Sequence, residues 1–546
     1  MDQTPRSFSV SGKIFDVVSG RIIEGTIHVN NGIIVSIEQV PGMAGPVILP
    51  GLIDAHVHIE SSMLLPSEFA RLAVVHGTTA TVSDPHEIAN VLGKPGIRFM
   101  IDNGNKVPFK FNFGAPSCVP ATPFETSGAN LGPADVDELL SWPEIGYLSE
   151  MMNFPGVLNG DAEVMQKLEA ARRRGKPVDG HAPGLSGNDS MRYAAAGITT
   201  DHECFTIEEA LDKIQAGMRI LIREGSAARN FDELIPLVDT HPESIMFCSD
   251  DKHPDDLVKG HLNLLIKRAL SRGHNVLNVL RACTLNPVKH YKLDCGLLQI
   301  GDKADFVIVD SIENFEVQAT YINGIKVAEN GHTLLPQIHE EPVNQFNARM
   351  IATHDLEVVA KSEGIKVQQA LEGQLITMKK LYSATIDQGL VVTDTTRDIL
   401  KMMVMNRYQP SSPAIDFVSG FGLRRGAIAS TVAHDSHNII AVGVDDDSIA
   451  RAVNMLITTK GGISVVDGNE GFILPLPVAG LMSADNGYDV AAKYSAMNQK
   501  VKDLGSDLEA PFMTLSFMAL LVIPALKLSD KGIFDGTTFS FTELFE

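Results

Sequence analysis

Short alternations of apolar and polar residues open the chain. Phe8-Ser9-Val10, Lys13-Ile14-Phe15-Asp16-Val17-Val18, Gly25-Thr26-Ile27-His28-Val29 and Gly32-Ile33-Ile34-Val35-Ser36-Ile37 read as strands, and Asn31-Gly32 is a hairpin signal. The same pattern returns late, in Asp305-Phe306-Val307-Ile308-Val309-Asp310 and Ala319-Thr320-Tyr321-Ile322-Asn323-Gly324. Two β-rich pieces around a long middle predict one small β domain built from both flanks, residues 1–50 and 301–340.

The middle, residues 51–300, alternates apolar runs with helical periodicity. The runs are Leu52–His56, Thr78–Val82, Lys110–Phe113, Ile145–Leu148, Pro177–Asp179, Ile198–Thr200, Met218–Ile222 and Ser244–Cys248. Between them, Pro66 can open a helix that buries Phe69, Leu72 and Ala73 and stops at Gly77. Asp161 can cap another, ending at Gly175, and Thr206 with Glu209 forms a capping box before a helix ending at Gly217. Eight β/α units in this length predict a (β/α)8 barrel. An open doubly wound sheet is the rival, but no glycine-rich fingerprint follows the first strand. From 345 to 546 the chain turns glycine-rich, with strand-like Arg424–Ala429 and Asn438–Gly443 and a helix-like run from Asp447 to Thr458, which predicts a C-terminal mixed α/β domain.

Composition narrows the function classes. The 546 residues carry 45 Lys plus Arg against 67 Asp plus Glu, a net charge of −22. That argues against a nucleic-acid or anionic-membrane partner, either of which needs clustered cations. Five cysteines form no CxxC, which reads as a reduced, cytoplasmic chain. Met1–Arg6 has no apolar core behind a basic start and is not a signal peptide. Ala510–Leu526 is uncharged but short of the roughly 20 residues of a spanning helix, and it contains Pro511, Thr514, Ser516 and Pro524; it reads as a buried segment. A homo-oligomer, with a dimer favoured, is the expected assembly.

In a barrel of this kind, catalytic groups sit at the C-terminal strand ends. Strand one ends in His56-Val57-His58, whose alternation points both imidazoles to one side. Strand four runs into Ser149-Glu150-Met151, strand five into His181, strand six into Asp201-His202-Glu203 and strand eight into Ser249-Asp250-Asp251. Alone, a His-x-His is also a polar turn, and a single His181 or His202 a hydrogen-bonded loop histidine. Together, four imidazoles and two carboxylates at one mouth are a ligand set for divalent ions, enough for two ions sharing a bridging carboxylate and a bridging hydroxide.

Pro50-Gly51-Leu52-Ile53-Asp54-Ala55-His56-Val57-His58 resembles the opening of the amidohydrolase superfamily, and Thr284-Leu285-Asn286-Pro287 with Gly296–Asp305 resembles its return from barrel to sandwich. Many members bridge their metals with a carboxylated lysine on strand four; this chain has Glu150 there. Ile59-Glu60-Ser61-Ser62-Met63, Ser83-Asp84-Pro85-His86-Glu87, Glu150-Met151-Met152-Asn153, Gly180-His181-Ala182-Pro183-Gly184, His434-Asp435-Ser436-His437-Asn438 and Pro511–Phe517 are similar to the bacterial adenine deaminase family.

The resemblance implies conversion of adenine to hypoxanthine and ammonia, in purine salvage, by two divalent ions per chain, manganese or iron, with zinc as a further option. It assigns His56, His58 and Asp250 to one ion, His181 and His202 to the other, and Glu150 between them. Asp250 would also accept the proton of the bridging hydroxide; Asp251 is set aside because the family motif places the first aspartate at the metal. Glu87 would handle protons at the purine ring, with Asp84 and His86 supporting it or touching the ring. The bland reading of Asp84 and Glu87 is a pair of helix-start carboxylates. Arg223 reads either as joining Asp84 and His86, supporting the site or touching the ring, or as a surface ion pair, and Glu203 as structural. His434, Asp435 and His437 read as a separate metal site or, better, as a segment that closes the mouth or packs at a domain interface. The alternative enzyme is another amidohydrolase acting on a cyclic amide or a different aminated heterocycle. A non-catalytic relative would have lost ligands, and none is lost here.

Overall fold

The computed structural model describes residues 7–546, so Met1–Arg6 and the leader expectation attached to them lie outside the described residues. All eight middle runs form strands. Leu52–Val57, Thr78–Ser83, Lys110–Ala115, Ile145–Met151 and Val178–Gly180 pair in parallel, as do Thr200–Asp201, Arg219–Arg223 and Ile245–Cys248. Two seams join the sets. Thr199 N–H donates to the Val178 carbonyl at 2.8 Å, and Asp250 N–H donates to that of His56 at 3.0 Å. The parallel sheet therefore curls round on itself into a TIM-barrel-like body. Its bore is filled by Ala55, Val82, Tyr147, Leu221, Met246 and Cys248, all buried, so it is a packed core and not a channel.

The helices outside it start and stop for local reasons. Pro66–Ala73 buries Phe69 and Leu72, and a 3₁₀ turn follows before Gly77 at φ 87°. Asp161 accepts hydrogen bonds from Glu163 and Val164 N–H and caps Ala162–Arg173. The Thr206 hydroxyl accepts from Glu209 N–H as expected, but the Glu209 carboxylate accepts from Phe205 N–H, one residue before the box position.

The flanks meet in one eight-stranded sheet. Phe306–Val309 pairs antiparallel with Val47–Pro50, which pairs in parallel with Phe8–Asp16. Phe8–Asp16 is a single strand where the sequence pattern breaks it in two. Ser11 and Gly12 stay in register with Thr26 and Gly25, and a side chain at Gly12 would strike the Pro46 carbonyl. Asn31 and Gly32 form the expected turn, both with positive φ.

The C-terminal part holds a second eight-stranded sheet, centred on Leu400–Met405, Ile439–Gly443 and Ala427–Ser430. The helix Asp446–Thr459 covers one face with Ile449, Val453 and Leu456. The other face joins the barrel's helices in one core that includes Ile59, Met63, Phe417, Ile428 and Ile440. Ser483 N–H donates to the Met63 carbonyl at 2.9 Å and Gly487 N–H to Glu68 at 2.8 Å, which fixes this part beside the first strand's exit. The uncharged run becomes a short buried helix, Pro511–Phe517. No helix among the described residues is long and apolar enough to cross a membrane.

Candidate active site

His56 and His58 leave the first barrel strand two residues apart, and their Nε2 atoms stand 3.1 Å from each other. Asp250 Oδ1, from the end of the eighth strand, lies 3.5 Å from His56 Nε2 and 3.2 Å from His58 Nε2. Asp250 holds φ 55°, a left-handed backbone that aspartate tolerates better than most residues. Glu150 Oε1 is 3.5 Å from His58 Nε2, and its Oε2 is 3.0 Å from His181 Nδ1 and 3.1 Å from His202 Nε2. All six side chains are buried. Glu150 thus stands between one histidine pair and the other.

This donor set fits divalent ions. Two ligands bound to one ion at about 2.0–2.2 Å stand roughly 3 Å apart, which is the spacing seen here. His56 and His58 face each other nitrogen to nitrogen, and one imidazolium proton cannot satisfy the other imidazole and two carboxylates as a metal ion can. Burial alone would raise the Glu150 carboxyl, but His181 and His202 hold it well below the ordinary range. Burial is likewise outweighed at Asp250 by Arg223, which keeps that carboxyl far down.

Arg223 is not the surface ion pair; its contacts fit the supporting reading rather than the ring-binding one. It is neither at the surface nor free to read a ring: it is 2% exposed, donates to Asp250 Oδ2 at 2.8 Å and grips Glu203 with both terminal nitrogens. Strand seven ends inside the closed barrel, so a long side chain there turns along the ligand carboxylates. Glu203 also approaches His181 Nδ1 at 3.6 Å and His202 Nε2 at 3.4 Å. It is part of the cluster as well as an anchor for Arg223. Asp251 accepts from the Ser61 hydroxyl at 2.5 Å.

The second-strand carboxylates divide the two readings between them. Asp84 Oδ1 accepts from His86 N–H at 3.0 Å, the helix-start role, while its Oδ2 lies 3.2 Å from His86 Nδ1. Glu87 turns off its own helix. Its Oε1 lies 2.5 Å from His434 Nδ1, and its Oε2 meets His437 Nε2. The helix start is served instead by Glu60, which accepts from Ile88 N–H at 3.2 Å. Ala433 N–H donates to His437 Nδ1 at 3.2 Å. That nitrogen therefore keeps its lone pair, the proton sits on Nε2, and His437 donates to Glu87. The cluster Glu87–His434–His437 is accordingly a hydrogen-bonded unit, not a ligand set with two free imidazole lone pairs. Burial pushes His437 down to about 4, whereas His434, facing Glu87 and Asp251, rises to about 9 against its burial. Burial would raise the Glu87 carboxyl, but His434, His437 and His86 draw it well below the usual range.

A small cavity opens over these groups. It is lined by His58, Glu150 and Asp250 of the cluster, by His86, Glu87, His434 and Asp435, and by the apolar Met152, Leu375, Phe517 and Leu520.

Known families match the same two regions. The amidohydrolase family matches residues 47–327, and the adenine deaminase C-terminal domain matches residues 374–540. An adenine deaminase of Salinibacter ruber is 54% identical over 545 residues, 99% of each chain. The chain belongs to the adenine deaminase family. A second member, from Methanosarcina mazei, is 51% identical over 98% of this chain and 99% of its own. Among solved structures, a beta-aspartyl dipeptidase of Fervidobacterium islandicum AW-1 is similar at 15% identity and a TM-score of 0.45, covering 60% of this chain and 98% of that one. As an adenine deaminase relative and an amidohydrolase, the protein is a metal-dependent hydrolase.

The family segment 434–438 closes over the mouth and packs against the barrel at once, since His434 and Asp435 line the cavity while Asn438 donates to the Thr126 carbonyl at 2.9 Å. Leu375 and Leu520 had no role in the sequence reading, and Phe517 entered only with the family segment Pro511–Phe517. Phe517 and Leu520 lie in the uncharged run Ala510–Leu526, a stretch too apolar for a surface and too short for a membrane, while nothing marked Leu375.

Proposed function

We propose that this protein hydrolyses adenine to hypoxanthine and ammonia, as a step of purine salvage, at the cluster centred on Glu150. The observation that carries the reading is Glu150 between two histidine pairs beneath a small cavity, in a chain with full-length adenine deaminase relatives. His56, His58 and Asp250 would hold one divalent ion, His181 and His202 the other, and Glu150 would bridge them; manganese or iron suits nitrogen and carboxylate donors of this kind, and zinc suits them too. Bound there, such ions lower the pKa of water from about 15.7 toward about 7 and so supply a nucleophile.

The protein's own groups do the rest. Asp250 takes the nucleophile's proton, and Arg223 holds Asp250 ionised and in place to do so. Attack at C6 sends electron density to N1, and Glu87 moves the proton there, held in position by His434 and His437. Asp84 and His86 orient that side of the ring. The mixed polar and apolar lining suits a flat heterocycle with a polar edge. The division into a sandwich from residues 1–50 and 301–340, a barrel from 51–300 and a C-terminal domain from 345–546 belongs to the same proposal, as do a cytoplasmic setting, in keeping with five free cysteines, and assembly as a dimer.

The test is a substrate panel on purified, metal-loaded protein: ammonia release from adenine, adenosine, AMP and cyclic amides. Adenine should be turned over and adenosine and AMP poorly. Equal turnover of adenosine, or turnover of a cyclic amide in place of adenine, would overturn the assignment.

A further inference from the structure

Asp435 is a buried carboxylate whose needs the protein does not meet. It is 3% exposed and lies on the cavity wall. Its Oδ2 has no hydrogen-bond donor among the described residues. Its Oδ1 stands 3.6 Å from His86 Nε2 and 4.0 Å from His434 Nδ1, both beyond hydrogen-bond distance. Leaving a buried acceptor without a donor is costly. Glu87, by contrast, has two imidazole partners of its own. Of the cavity's carboxylates outside the proposed ligand set, Asp251 has the Ser61 hydroxyl and Glu203 has Arg223, so Asp435 is the one that calls for a donor from the ligand.

Its position selects which donor. The His86 ring lies between the metal cluster and Asp435: Nδ1 is 3.5 Å from Glu150 Oε1, and Nε2 is 3.6 Å from Asp435 Oδ1. Asp435 is thus removed from the centre by at most one five-membered ring and two contacts. A purine whose C6 is attacked at the centre needs about the same span to bring its imidazole edge to a partner. A free purine base carries an N–H on that edge, at N7 or N9. A nucleoside does not, because the sugar takes N9 and N7 keeps a lone pair.

We infer that Asp435 accepts this ring N–H and is the residue that selects the free base over the nucleoside. The inference rests on adenine being the substrate. It assigns to the C-terminal part a role in reading the ligand, distinct from the covering of the mouth. A site built to hydrogen-bond a substrate N–H rejects the analogue lacking it strongly, because its own buried group is left unpaired.

The 7-methyl and 9-methyl derivatives of adenine both lack the ring N–H but place the methyl on different atoms. On the metal-loaded full-length protein, kcat/KM for both should fall below that for adenine by about 10²-fold or more. In Asp435→Leu, which removes the acceptor, adenine should lose most through KM, and its advantage over both methyl derivatives should shrink to roughly tenfold or less. Asp435→Asn keeps one acceptor oxygen and should fall between. Equilibrium binding of hypoxanthine and 9-methylhypoxanthine should follow the same order without turnover. Metal content, measured on each variant, should stay at the parent's level. An Asp435→Leu enzyme that keeps the parent's preference for adenine over both derivatives overturns the inference and leaves adenine deamination standing. A parent protein that does not turn over adenine overturns both.

Discussion

Glu87 begins a helix, where a carboxylate is ordinarily explained by the positive end of the helix dipole. Here both its oxygens leave the helix for His434 and His437, about 350 residues away in sequence. A positioned acid or base contributes about 10²–10⁴-fold, so Glu87→Gln should lower kcat by roughly that factor, with KM changed little and both metals retained. Steady-state kinetics and metal analysis on one preparation check it, and a kcat within a few-fold of the parent would return Glu87 to a structural role. Glu150→Gln should act differently. A neutral amide bridges poorly, so both ions should be lost together, read as metal per chain after dialysis; two ions and full rate would mean the bridge lies elsewhere. The place of both at the barrel mouth was legible in the sequence because strand ends are where barrels keep their chemistry. Arg223 stayed an open choice: nothing in the local pattern distinguishes a strand-end arginine at the surface from one folded back on Asp250 and Glu203.

At the scale of elements, period-two and period-3.6 patterns and cap residues carried the reading. Asp161 is a clear case, with its carboxylate on Glu163 and Val164 N–H. Asp161→Ala should cost about 0.5–2 kcal/mol in denaturant unfolding while leaving kcat unchanged, since the helix Ala162–Arg173 lies outside the mouth. The strand Phe8–Asp16 was misread as two because Ser11-Gly12 looks like a break, and only the partner strand's register shows that it is not. The segment Ala433–Asn438 left its alternatives open for a similar reason. Its partners, Glu87 and Ser516 among them, come from distant parts of the chain, and periodicity carries no information about long-range contact.

Across the whole molecule, the barrel, the flank sheet and the C-terminal sheet were legible as classes, while the continuity of the core between barrel and C-terminal part was not. Two half-buried histidines of the barrel stay neutral. Burial and the neighbouring Arg219 push His290 down to about 3, and burial holds His76 down to about 4. In the unfolded chain both titrate near 6.5. Between these values the unfolded state binds more protons. The stability these groups contribute is therefore full above about pH 6.5 and falls as pH drops below it, by up to about 1.4 kcal/mol per pH unit for each. Tm should decline from about pH 7 to about pH 5, and His290→Gln, which keeps an acceptor for Arg219, should make that decline shallower; an identical decline in the variant would exclude His290 as a contributor.

The central claim is that water, activated at the Glu150 cluster, replaces the amino group of adenine. The most direct measurement is turnover of adenine by the metal-loaded protein in water enriched in heavy oxygen, with mass analysis of the product and an ammonia assay alongside. The account predicts hypoxanthine carrying one heavy oxygen and an equal amount of ammonia, both abolished when the metals are removed by chelation and restored when they are returned. Hypoxanthine without the label, or labelled product formed at the full rate by the chelated protein, would contradict it.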